Sequence, residues 1–346
     1  MSEFLLKSLE IKGYRCFEHL TIEKLGRVNL IVGKNNVGKT ALLEALWLYA
    51  NGAYSHLFFE ILKERNEIPP SQEGLLAQPE SNWGLRNLFF NRPSLNYIAE
   101  DYPDNFDDEL MFQIGQSKEI LGREPKPSDK VLQVKGVRPN SNANDDSPST
   151  RTSPNPSKRI ENYFIKANGL TDKKLVEFWD NIERLVMEDS VIKALKIITP
   201  DLIDIRFSGY PNGSFSRIPV VRLEGAKERV PLRSLGDGMT RLLGIAAAMI
   251  NCKDGMFIID EIESGLHFSV LPDVWKLIFK TAKDLNVQVF ATTHSDDCVE
   301  AFAAAAEESP EDGMLIRLER QGERIIAKTI EENRLELAME HGVEVR

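Results

Sequence analysis

The strongest constraint on the fold of this chain is a short glycine-rich segment that runs from Gly33 to Thr40. It consists of a glycine, four residues, a second glycine, a lysine and a threonine, which is the pattern of a phosphate-binding loop. The residues before it, Val28–Val32, form an apolar run without charge, typical of a strand covered on both faces of a sheet. After it, Thr40–Tyr49 has apolar residues at helical spacing. A strand before and a helix after are the context that such a loop requires.

The residues of this loop predict how a nucleotide would be held. The glycines let the chain bend so that main-chain N–H groups point at phosphate oxygens, and the following helix adds its positive N-terminal end. Lys39 is placed to reach the β and γ phosphates, and the Thr40 hydroxyl is a candidate ligand of Mg²⁺. We expect nucleotide binding by Gly33, Lys34, Asn35, Asn36, Val37, Gly38, Lys39, Thr40 and Ala41.

Two further segments place acidic and imidazole groups at the ends of predicted strands. The apolar strand pattern Met256–Ile259 is followed directly by Asp260 and Glu261. Because ligands of parallel sheets bind at the carboxyl ends of the strands, Asp260 is a candidate to hold Mg²⁺ through water and Glu261 to polarise the attacking water. His294 follows the next strand pattern, Val287–Ala291, and is placed to contact a γ-phosphate. Taken alone, the acids also fit a helix cap and the histidine a structural role; beside the loop they predict one catalytic site.

The predicted elements divide the chain into a split head and an insertion. The strand, helix and strand just described form a parallel crossover that would share a sheet with the strand before the loop. We therefore predict an α/β head built from residues 1–50 and 200–346, with a mixed central sheet and an N-terminal antiparallel β lobe. Residues 51–199 would be an inserted, mainly helical lobe, in which the proline-rich and polar segment 136–158 forms a mobile loop. Further predicted elements are helices at 57–65, 171–198 and 331–345 and strands at 110–114, 314–320 and 324–330.

Composition indicates the surroundings in which such a site would work. The 346 residues include 43 Lys and Arg against 53 Asp and Glu, and the net charge of −10 argues against a generally basic nucleic-acid surface. No stretch approaches the roughly 20 apolar residues of a membrane span. The first residues lack the basic and apolar regions of a signal peptide, and three scattered cysteines do not make a disulfide framework. We expect a soluble, cytoplasmic protein without a membrane partner.

Four motifs, in the expected order, resemble those of the ATP-binding-cassette ATPases and more narrowly the SMC/RecF/OLD group, where OLD stands for overcoming lysogenisation defect. The phosphate loop is the first of them. The run Leu9–Phe17 is similar to the N-terminal strand of that group, and Asp260–His267 is similar to its Walker B and D-loop run. His294 resembles its switch histidine. The resemblance covers residues 1–50 and 231–300 and implies ATP and Mg²⁺ as cofactors.

The resemblance also implies that two heads work together. In that family two heads face each other head to tail, and each ATP lies between one phosphate loop and the partner's signature helix. The corresponding segment here is Arg233–Gly238, where Arg233 and Leu235 depart from the family's Leu-Ser-Gly-Gly-Gln. Either the Ser234 hydroxyl or the N–H groups of this helix start would then reach the partner's γ-phosphate. The implied nucleotide contacts are Ser234, Gly236, Asp237 and Gly238. The family's Q-loop glutamine has three candidates, Gln72, Gln78 and Gln113.

Expectations about partners follow from the same resemblance. Proteins of the OLD type often continue into a TOPRIM nuclease domain, and the segment after His294 is too short for one. The first hypothesis is therefore an ATPase that forms a homodimer or higher homo-oligomer on ATP. It would regulate a separate effector protein, a TOPRIM-type nuclease or a toxin, as in phage-defence operons. Two alternatives stay open: a RecF- or SMC-like DNA-repair ATPase, and a slowly hydrolysing nucleotide-dependent scaffold. The acidic net charge disfavours DNA and makes the tail after Glu331 a candidate surface for a protein.

Overall fold

Three β-sheets and the helices packed on them make up the described part of the chain. The computed structural model describes residues 5–51, 55–68, 86–91, 111–115, 131–135, 160–209 and 217–330. The strands are β1 Leu9–Tyr14, β2 Phe17–Ile22, β3 Val28–Val32, β4 Met111–Gly115, β5 Val131–Lys135, β6 Asn162–Ile165, β7 Leu202–Gly209, β8 Arg217–Leu223, β9 Val230–Pro231, β10 Met256–Ile259, β11 Gln288–Thr292, β12 Gly313–Gln321 and β13 Arg324–Ile330. The helices are α1 Lys39–Asn51, α2 Ser55–Glu64, α3 Asp172–Leu185, α4 Glu188–Leu195, α5 Asp237–Asn251, α6 Leu271–Asp284 and α7 Asp296–Glu307. Short 3-10 turns lie at Arg86–Leu88, Leu232–Leu235 and Phe268–Val270.

The largest sheet has six strands in the order β13-β12-β3-β11-β10-β6. All neighbours in it run parallel except β12 and β13, so the predicted mixed central sheet is confirmed. The predicted crossover is also present, because β10 pairs with β11 and β11 pairs with β3. Since Ile259 lies opposite Ala291, and Thr292 opposite Ile31, the segments that follow these three strands leave the sheet at the same carboxyl edge.

The six-stranded sheet separates two apolar cores, and its side chains alternate between them. In β3, Leu30 belongs to the core that contains α3 to α7, whereas Ile31 belongs to the core that contains α1 and α2. Phe257 and Ile258 divide in the same way in β10. Because both faces of these strands are covered, they appear in the sequence as continuous apolar runs instead of an alternating pattern.

The N-terminal sheet is antiparallel and has the order β2-β1-β4-β5, so the predicted antiparallel lobe is confirmed. In its register, Ile11 lies opposite Leu20 on one side and Ile114 on the other, and all three side chains are buried. They join the core that holds α1. The sheet thereby packs beside the helix that follows the phosphate-loop segment.

The third sheet, β7-β8-β9, forms a layer with α3, α4 and α5. The predicted helical segment 171–198 contains two helices, and the first is capped by Thr171, whose hydroxyl accepts a hydrogen bond from the Lys174 N–H. Trp179 of α3 stacks on Phe207 of β7 with 5.1 Å between ring centroids. Strand β9 of this layer is followed by the 3-10 turn Leu232–Leu235, which leads to the start of α5. Among the helices that the structure describes, none is long and apolar enough to cross a membrane.

The segment predicted as an inserted lobe is divided between the sheets. Its strand β6 joins the six-stranded sheet beside β10, and its strands β4 and β5 extend the N-terminal sheet. The boundary at residue 199 stays a prediction, but the pairing of β6 with β10 makes Asn162–Ile165 part of the central sheet. We propose that the second part of the head begins at Ile160. The predicted loop 136–158 and helix 331–345 lie outside the described residues.

Candidate active site

The phosphate-loop segment connects β3 to α1 at the carboxyl edge of the six-stranded sheet. Gly33, Asn36 and Gly38 have positive φ values of 144°, 63° and 92°. Gly38 lies so close to the β1–β2 turn that a Cβ atom there would stand 2.6 Å from Cys16 Sγ and 2.8 Å from Phe17 Cζ. Glycine is therefore needed at this position both for its conformation and for the close approach of the neighbouring turn.

Lys39 opens α1, and its buried side chain turns back onto the loop. Its Nζ donates hydrogen bonds to the main-chain oxygens of Gly33 at 2.6 Å and Lys34 at 3.1 Å. The ammonium group thus adds positive charge at the helix N-terminus, where the main-chain N–H groups already favour an anion. This geometry supports the predicted phosphate-binding role of Lys39.

Thr40 and Asp260, the two candidate Mg²⁺ ligands, are in direct contact although they are far apart in the sequence. Thr40 Oγ1 donates to Asp260 Oδ2 at 3.0 Å, and Thr292 Oγ1 donates to Asp260 Oδ1 at 2.5 Å. A hydroxyl beside a carboxylate is a set of hard oxygen donors, which fits Mg²⁺. No group of three or more His, Cys, Asp or Glu able to hold a metal occurs among the described residues. In proteins Mg²⁺ is usually bound by one or two carboxylates together with water and phosphate oxygens.

Glu261 follows Asp260 in a left-handed main-chain conformation, with φ of +48°. Few residues other than glycine adopt this conformation. Its N–H donates to Thr292 Oγ1 at 2.9 Å, and its carbonyl accepts from Arg241 Nη2 at 2.8 Å and from the Ser264 N–H at 2.9 Å. The side chain is 43% exposed, so water can reach the carboxylate. A strained main chain held by several hydrogen bonds is a common feature of catalytic positions.

His294 lies beside Glu261, with Nε2 4.0 Å from Glu261 Oε1. Its main-chain N–H donates to Glu263 Oε1 at 2.8 Å, which joins the loop after β11 to the loop after β10. The next residue, Ser295, caps α7 by accepting from the Cys298 N–H at 3.3 Å. The structure thus brings together the candidate base and the candidate γ-phosphate contact that the sequence places on separate strands.

The signature segment Ser234–Gly238 packs against the D-loop run. A Cβ atom on Gly238 would stand 3.0 Å from the main-chain oxygen of Gly265. Ser234 is exposed, and its hydroxyl donates to the main-chain oxygen of Pro231 at 2.6 Å. Within the described ranges, no side chain caps the N-terminus of α5. The uncapped N–H groups therefore support the amide alternative for a contact with a partner's phosphate, and that contact stays a prediction.

The structure gives limited information about the Q-loop glutamine. Gln72 and Gln78 lie outside the described residues. Gln113 lies in β4, opposite Lys12 in the N-terminal sheet. That sheet is not the one whose carboxyl edge carries Lys39 and Asp260, so the structure adds no support for Gln113.

Two residues that organise this site are missed by sequence reasoning. Thr292 is fully buried, and its hydroxyl bridges the carboxylate of Asp260 and the N–H of Glu261. Arg241 is buried in α5, and among the described residues its guanidinium donates to the main-chain oxygens of Lys166, Asp260 and Glu261. The available signal is that each is a buried polar residue in a mostly apolar strand or helix, within three residues of a recognised motif.

The sequence of this chain is similar to those of several known proteins. The family described as "AAA domain, putative AbiEii toxin, Type IV TA system" matches residues 28–299. A Helicobacter pylori protein named "ATP/GTP phosphatase" is 25% identical over 335 residues, covering 86% of this chain and 87% of the relative. A "DNA replication and repair protein RecF" from Pseudoalteromonas translucida is 38% identical over 68 residues, which cover 20% of this chain and 18% of that protein.

Solved structures with a similar fold include two heads of the SMC type. One is an Smc head bound to the C-winged helix domain of ScpA, with a TM-score of 0.53 and 14% identity, covering 98% of this chain and 100% of that one. The other is an Smc head with an extended coiled coil bound to the C-terminal domain of ScpA derived from Pyrococcus furiosus. Its TM-score is 0.52 at 12% identity, and the match covers 97% of this chain and 98% of that one. At this level of identity the likeness establishes the fold.

Proposed function

The chain belongs to the AAA-domain family that matches residues 28–299 and is an ATPase of the AAA/SMC/RecF type, and from this premise we propose how it uses ATP. In the proposal, ATP binding with Mg²⁺ closes a homodimer or higher homo-oligomer, and hydrolysis opens it. The cycle regulates a separately encoded effector in the cytoplasm. The effector is a nuclease of the TOPRIM type or a toxin, and the setting is phage defence of the OLD type.

The observation that carries the proposal is the contact between Thr40 Oγ1 and Asp260 Oδ2 at 3.0 Å. It joins the segment after β3 to the segment after β10, with Lys39 next to one partner and Glu261 next to the other. A single nucleotide at this edge would therefore meet a phosphate loop, a carboxylate suited to Mg²⁺ and a water-accessible glutamate. These are the recurring parts of an ATP-hydrolysing site.

Each side chain has a task in this proposal. The loop N–H groups and Lys39 bind the phosphates and fix the nucleotide. Thr40 and Asp260 would hold Mg²⁺, which when bound neutralises charge on the phosphate oxygens. Glu261 polarises the attacking water, because its carboxylate is exposed at the edge where the γ-phosphate would lie. His294, 4.0 Å from that carboxylate, contacts the γ-phosphate.

Dimer formation is proposed from the surface around the signature segment. Ser234 is exposed, and the N–H groups at the start of α5 have no side-chain cap among the described residues. A helix N-terminus with uncapped N–H groups favours an anion. A partner's γ-phosphate would supply that anion, which makes closure depend on ATP.

The effector is proposed from the family and from charge. The description of the family, "AAA domain, putative AbiEii toxin, Type IV TA system", associates such domains with toxin–antitoxin systems, which supports a setting in which a toxin is regulated. The net charge of −10 favours a protein partner over bare nucleic acid. In the alternative form of this proposal, the protein is a scaffold that holds the effector inactive. Its basal rate of ATP hydrolysis would then be low.

One observation favours a second candidate, a DNA-repair ATPase. Short segments of this chain are 38% to 46% identical to RecF proteins, including 43% over 47 residues of the Clostridioides difficile protein. Those segments cover 20% or less of this chain. This candidate predicts duplex binding that depends on ATP and weakens with salt, and a flat binding signal at low salt would remove it.

The test compares Glu261→Gln and Lys39→Ala with the parent protein. Lys39→Ala should remove nucleotide binding, whereas Glu261→Gln should bind ATP normally and lower turnover by about 100-fold or more. Sedimentation with ATP and Mg²⁺ should then show Glu261→Gln as a stable dimer and Lys39→Ala as a monomer. Hydrolysis at the parental rate by Glu261→Gln would contradict the assignment of the base. Co-purification with the product of a neighbouring gene, with and without ATP, tests the effector.

A further inference from the structure

Arg241 is a buried arginine one turn into α5, directly after the signature segment Ser234–Gly238. Its Nη1 donates to the main-chain oxygen of Lys166 at 3.0 Å. Its Nη2 donates to the main-chain oxygens of Asp260 and Glu261, both at 2.8 Å. All these acceptors are main-chain carbonyls, so the guanidinium fixes the path of the backbone.

The three carbonyls belong to the ends of two neighbouring strands. Lys166 follows β6, and Asp260 and Glu261 follow β10, in a register that places Ile165 opposite Ile259. A planar guanidinium with donors in a fixed fork is well suited to span both strand ends. Arg241 therefore ties the carboxyl edge of the sheet to the first turn of α5.

Glu261 needs such a tie because its main chain is strained. A residue other than glycine in the left-handed region is strained and persists only where its surroundings hold it there. Thr292 holds the N–H of Glu261, and Arg241 and the Ser264 N–H hold its carbonyl. Losing Arg241 would let the peptide after Glu261 rotate and move the exposed carboxylate.

The surroundings of Arg241 show that its burial is not favourable in itself. Burial lowers the pKa of Arg241, while Glu263, Asp260 and Glu261 act to raise it. Its Nε and the Oε2 of Glu263 are buried without a hydrogen-bond partner in the part of the chain that the structure describes. A buried charge with incomplete hydrogen bonding is weak evidence for a stabilising role, so we explain the burial of Arg241 by positioning.

We propose that Arg241 is a positioning residue for ATP hydrolysis, which holds the backbone of Glu261 in its catalytic conformation and couples it to the signature segment. The proposal rests on the proposed role of Glu261 as the group that polarises water. Because Arg241 stands one turn from Ser234–Gly238, a partner that docks on this segment would act on Glu261 through α5.

The test uses Arg241→Met, Arg241→Lys and a matched control. Arg27 is also a buried arginine, but it lies before β3 at the opposite edge of the sheet, where it donates to Asp312 Oδ1 and Asn286 Oδ1, both at 3.2 Å. Arg27→Met therefore reports the effect of losing a buried arginine away from the site. For each variant, kcat and KM for ATP are measured per folded molecule in the full chain.

Arg241→Met should lower kcat by about 100-fold, the loss typical of a misplaced catalytic group, while KM changes by less than about threefold. Arg241→Lys keeps a donor without the fork and should recover part of the loss. In the Glu261→Gln background, Arg241→Met should cause no further fall, because the residue acts through Glu261. Arg27→Met should keep the parental kcat.

Two results would overturn the inference. One is a parental kcat in Arg241→Met, and the other is a fall in kcat no larger than that of Arg27→Met. If the methionine variant does not fold, Arg241→Lys decides in the same way: a lower kcat at unchanged KM supports positioning, and a parental kcat rejects it. The proposed function is tested separately, because an inactive Glu261→Gln with a fully active Arg241→Met rejects the role of Arg241 alone.

Discussion

The two edges of the six-stranded sheet both contain buried polar residues, but they use them differently. At the amino edge, the Gln288 side chain accepts from the Leu6 N–H at 2.9 Å and donates to the main-chain oxygens of Leu6 and Gly26, both at 2.8 Å. The Asn29 side chain accepts from the Gly26 N–H and donates to the oxygens of Gly26 and Val289. Both amides thus bond to main-chain groups, and the oxygen of Gly26 accepts from both of them.

At the carboxyl edge, buried polar side chains make hydrogen bonds to residues whose own side chains reach the surface. Thr292 orients Asp260 and Glu261, and Arg241 fixes their main chain. The carboxylate of Glu261 and the ring of His294 are left more than 40% exposed at the end of these bonds. Buried polar residues therefore stabilise the fold at the amino edge, whereas at the carboxyl edge they hold exposed reactive groups in place.

In a parallel sheet, the edge at which a buried polar residue lies determines whether that residue serves stability or function. Ligand sites lie at the carboxyl ends of parallel strands, where loops and helix N-termini meet. The same change made at the two edges should therefore alter different measured quantities. Activity should respond at the carboxyl edge, and the free energy of unfolding should respond at the amino edge.

The largest effect is expected for Thr292→Val. Valine has nearly the same shape, but it loses both the donor to Asp260 and the acceptor for the Glu261 N–H. We expect kcat to fall by about 100-fold, because the base and the Mg²⁺ ligand lose their orientation together. Steady-state hydrolysis measures it. Thr292→Ser keeps the hydroxyl and should stay near the parental rate; a valine variant as active as the serine variant would contradict the assignment.

At the amino edge, Gln288→Leu should reduce stability without changing catalysis. The substitution removes the hydrogen-bond partner of the buried main-chain N–H and oxygen of Leu6, and it removes one of the two side-chain donors to the oxygen of Gly26. We expect the free energy of unfolding to fall by about 2 kcal/mol. Urea denaturation gives this value, and hydrolysis per folded molecule should equal that of the parent. A kcat per folded molecule below that of the parent would contradict the distinction between the two edges.

The smallest effects are expected when one glycine at each edge is replaced by alanine, and these two variants are the most closely matched pair. Gly38→Ala would clash with Cys16 at the phosphate loop, and Gly26→Ala would place its Cβ 2.6 Å from the main-chain oxygen of Asp312 at the amino edge. We expect Gly38→Ala to weaken ATP binding by about 10-fold, because strain of this kind costs 1 to 3 kcal/mol. Gly26→Ala should lower the melting temperature and leave ATP affinity unchanged. If the two variants bound ATP with equal affinity, phosphate binding would not depend on the conformation of this loop, which would contradict the proposal.

Much of the fold is predictable from the sequence because it is determined locally. Val28–Val32 and Met256–Ile259 are apolar runs of strand length, and each is followed by a motif that marks its carboxyl end. The hairpin of β12 and β13 likewise shows in the sequence. By contrast, β6 is a short strand with Asn162 and Tyr163 at its start, and only its pairing with β10 makes it part of the sheet.

The residues of the candidate site likewise fall into those that the sequence predicts and those that it does not. The phosphate loop and Asp260 are visible because their chemistry depends on side chains in a fixed spacing. The roles of Thr292 and Arg241 depend on main-chain groups of distant residues, and no spacing in the sequence reveals such acceptors. For the same reason the positive φ of Glu261 could not be predicted, since it depends on the hydrogen bonds that hold it.

The central claim is that one nucleotide is bound by segments far apart in the sequence, at one edge of one sheet. Amide hydrogen exchange of the full chain, with and without Mg²⁺ and a slowly hydrolysed ATP analogue, tests it most directly. We predict slower exchange in 33–41, 260–264 and 292–295 together, with no change at the amino edge around Arg27 and Gln288. Protection confined to 33–41 would contradict the claim.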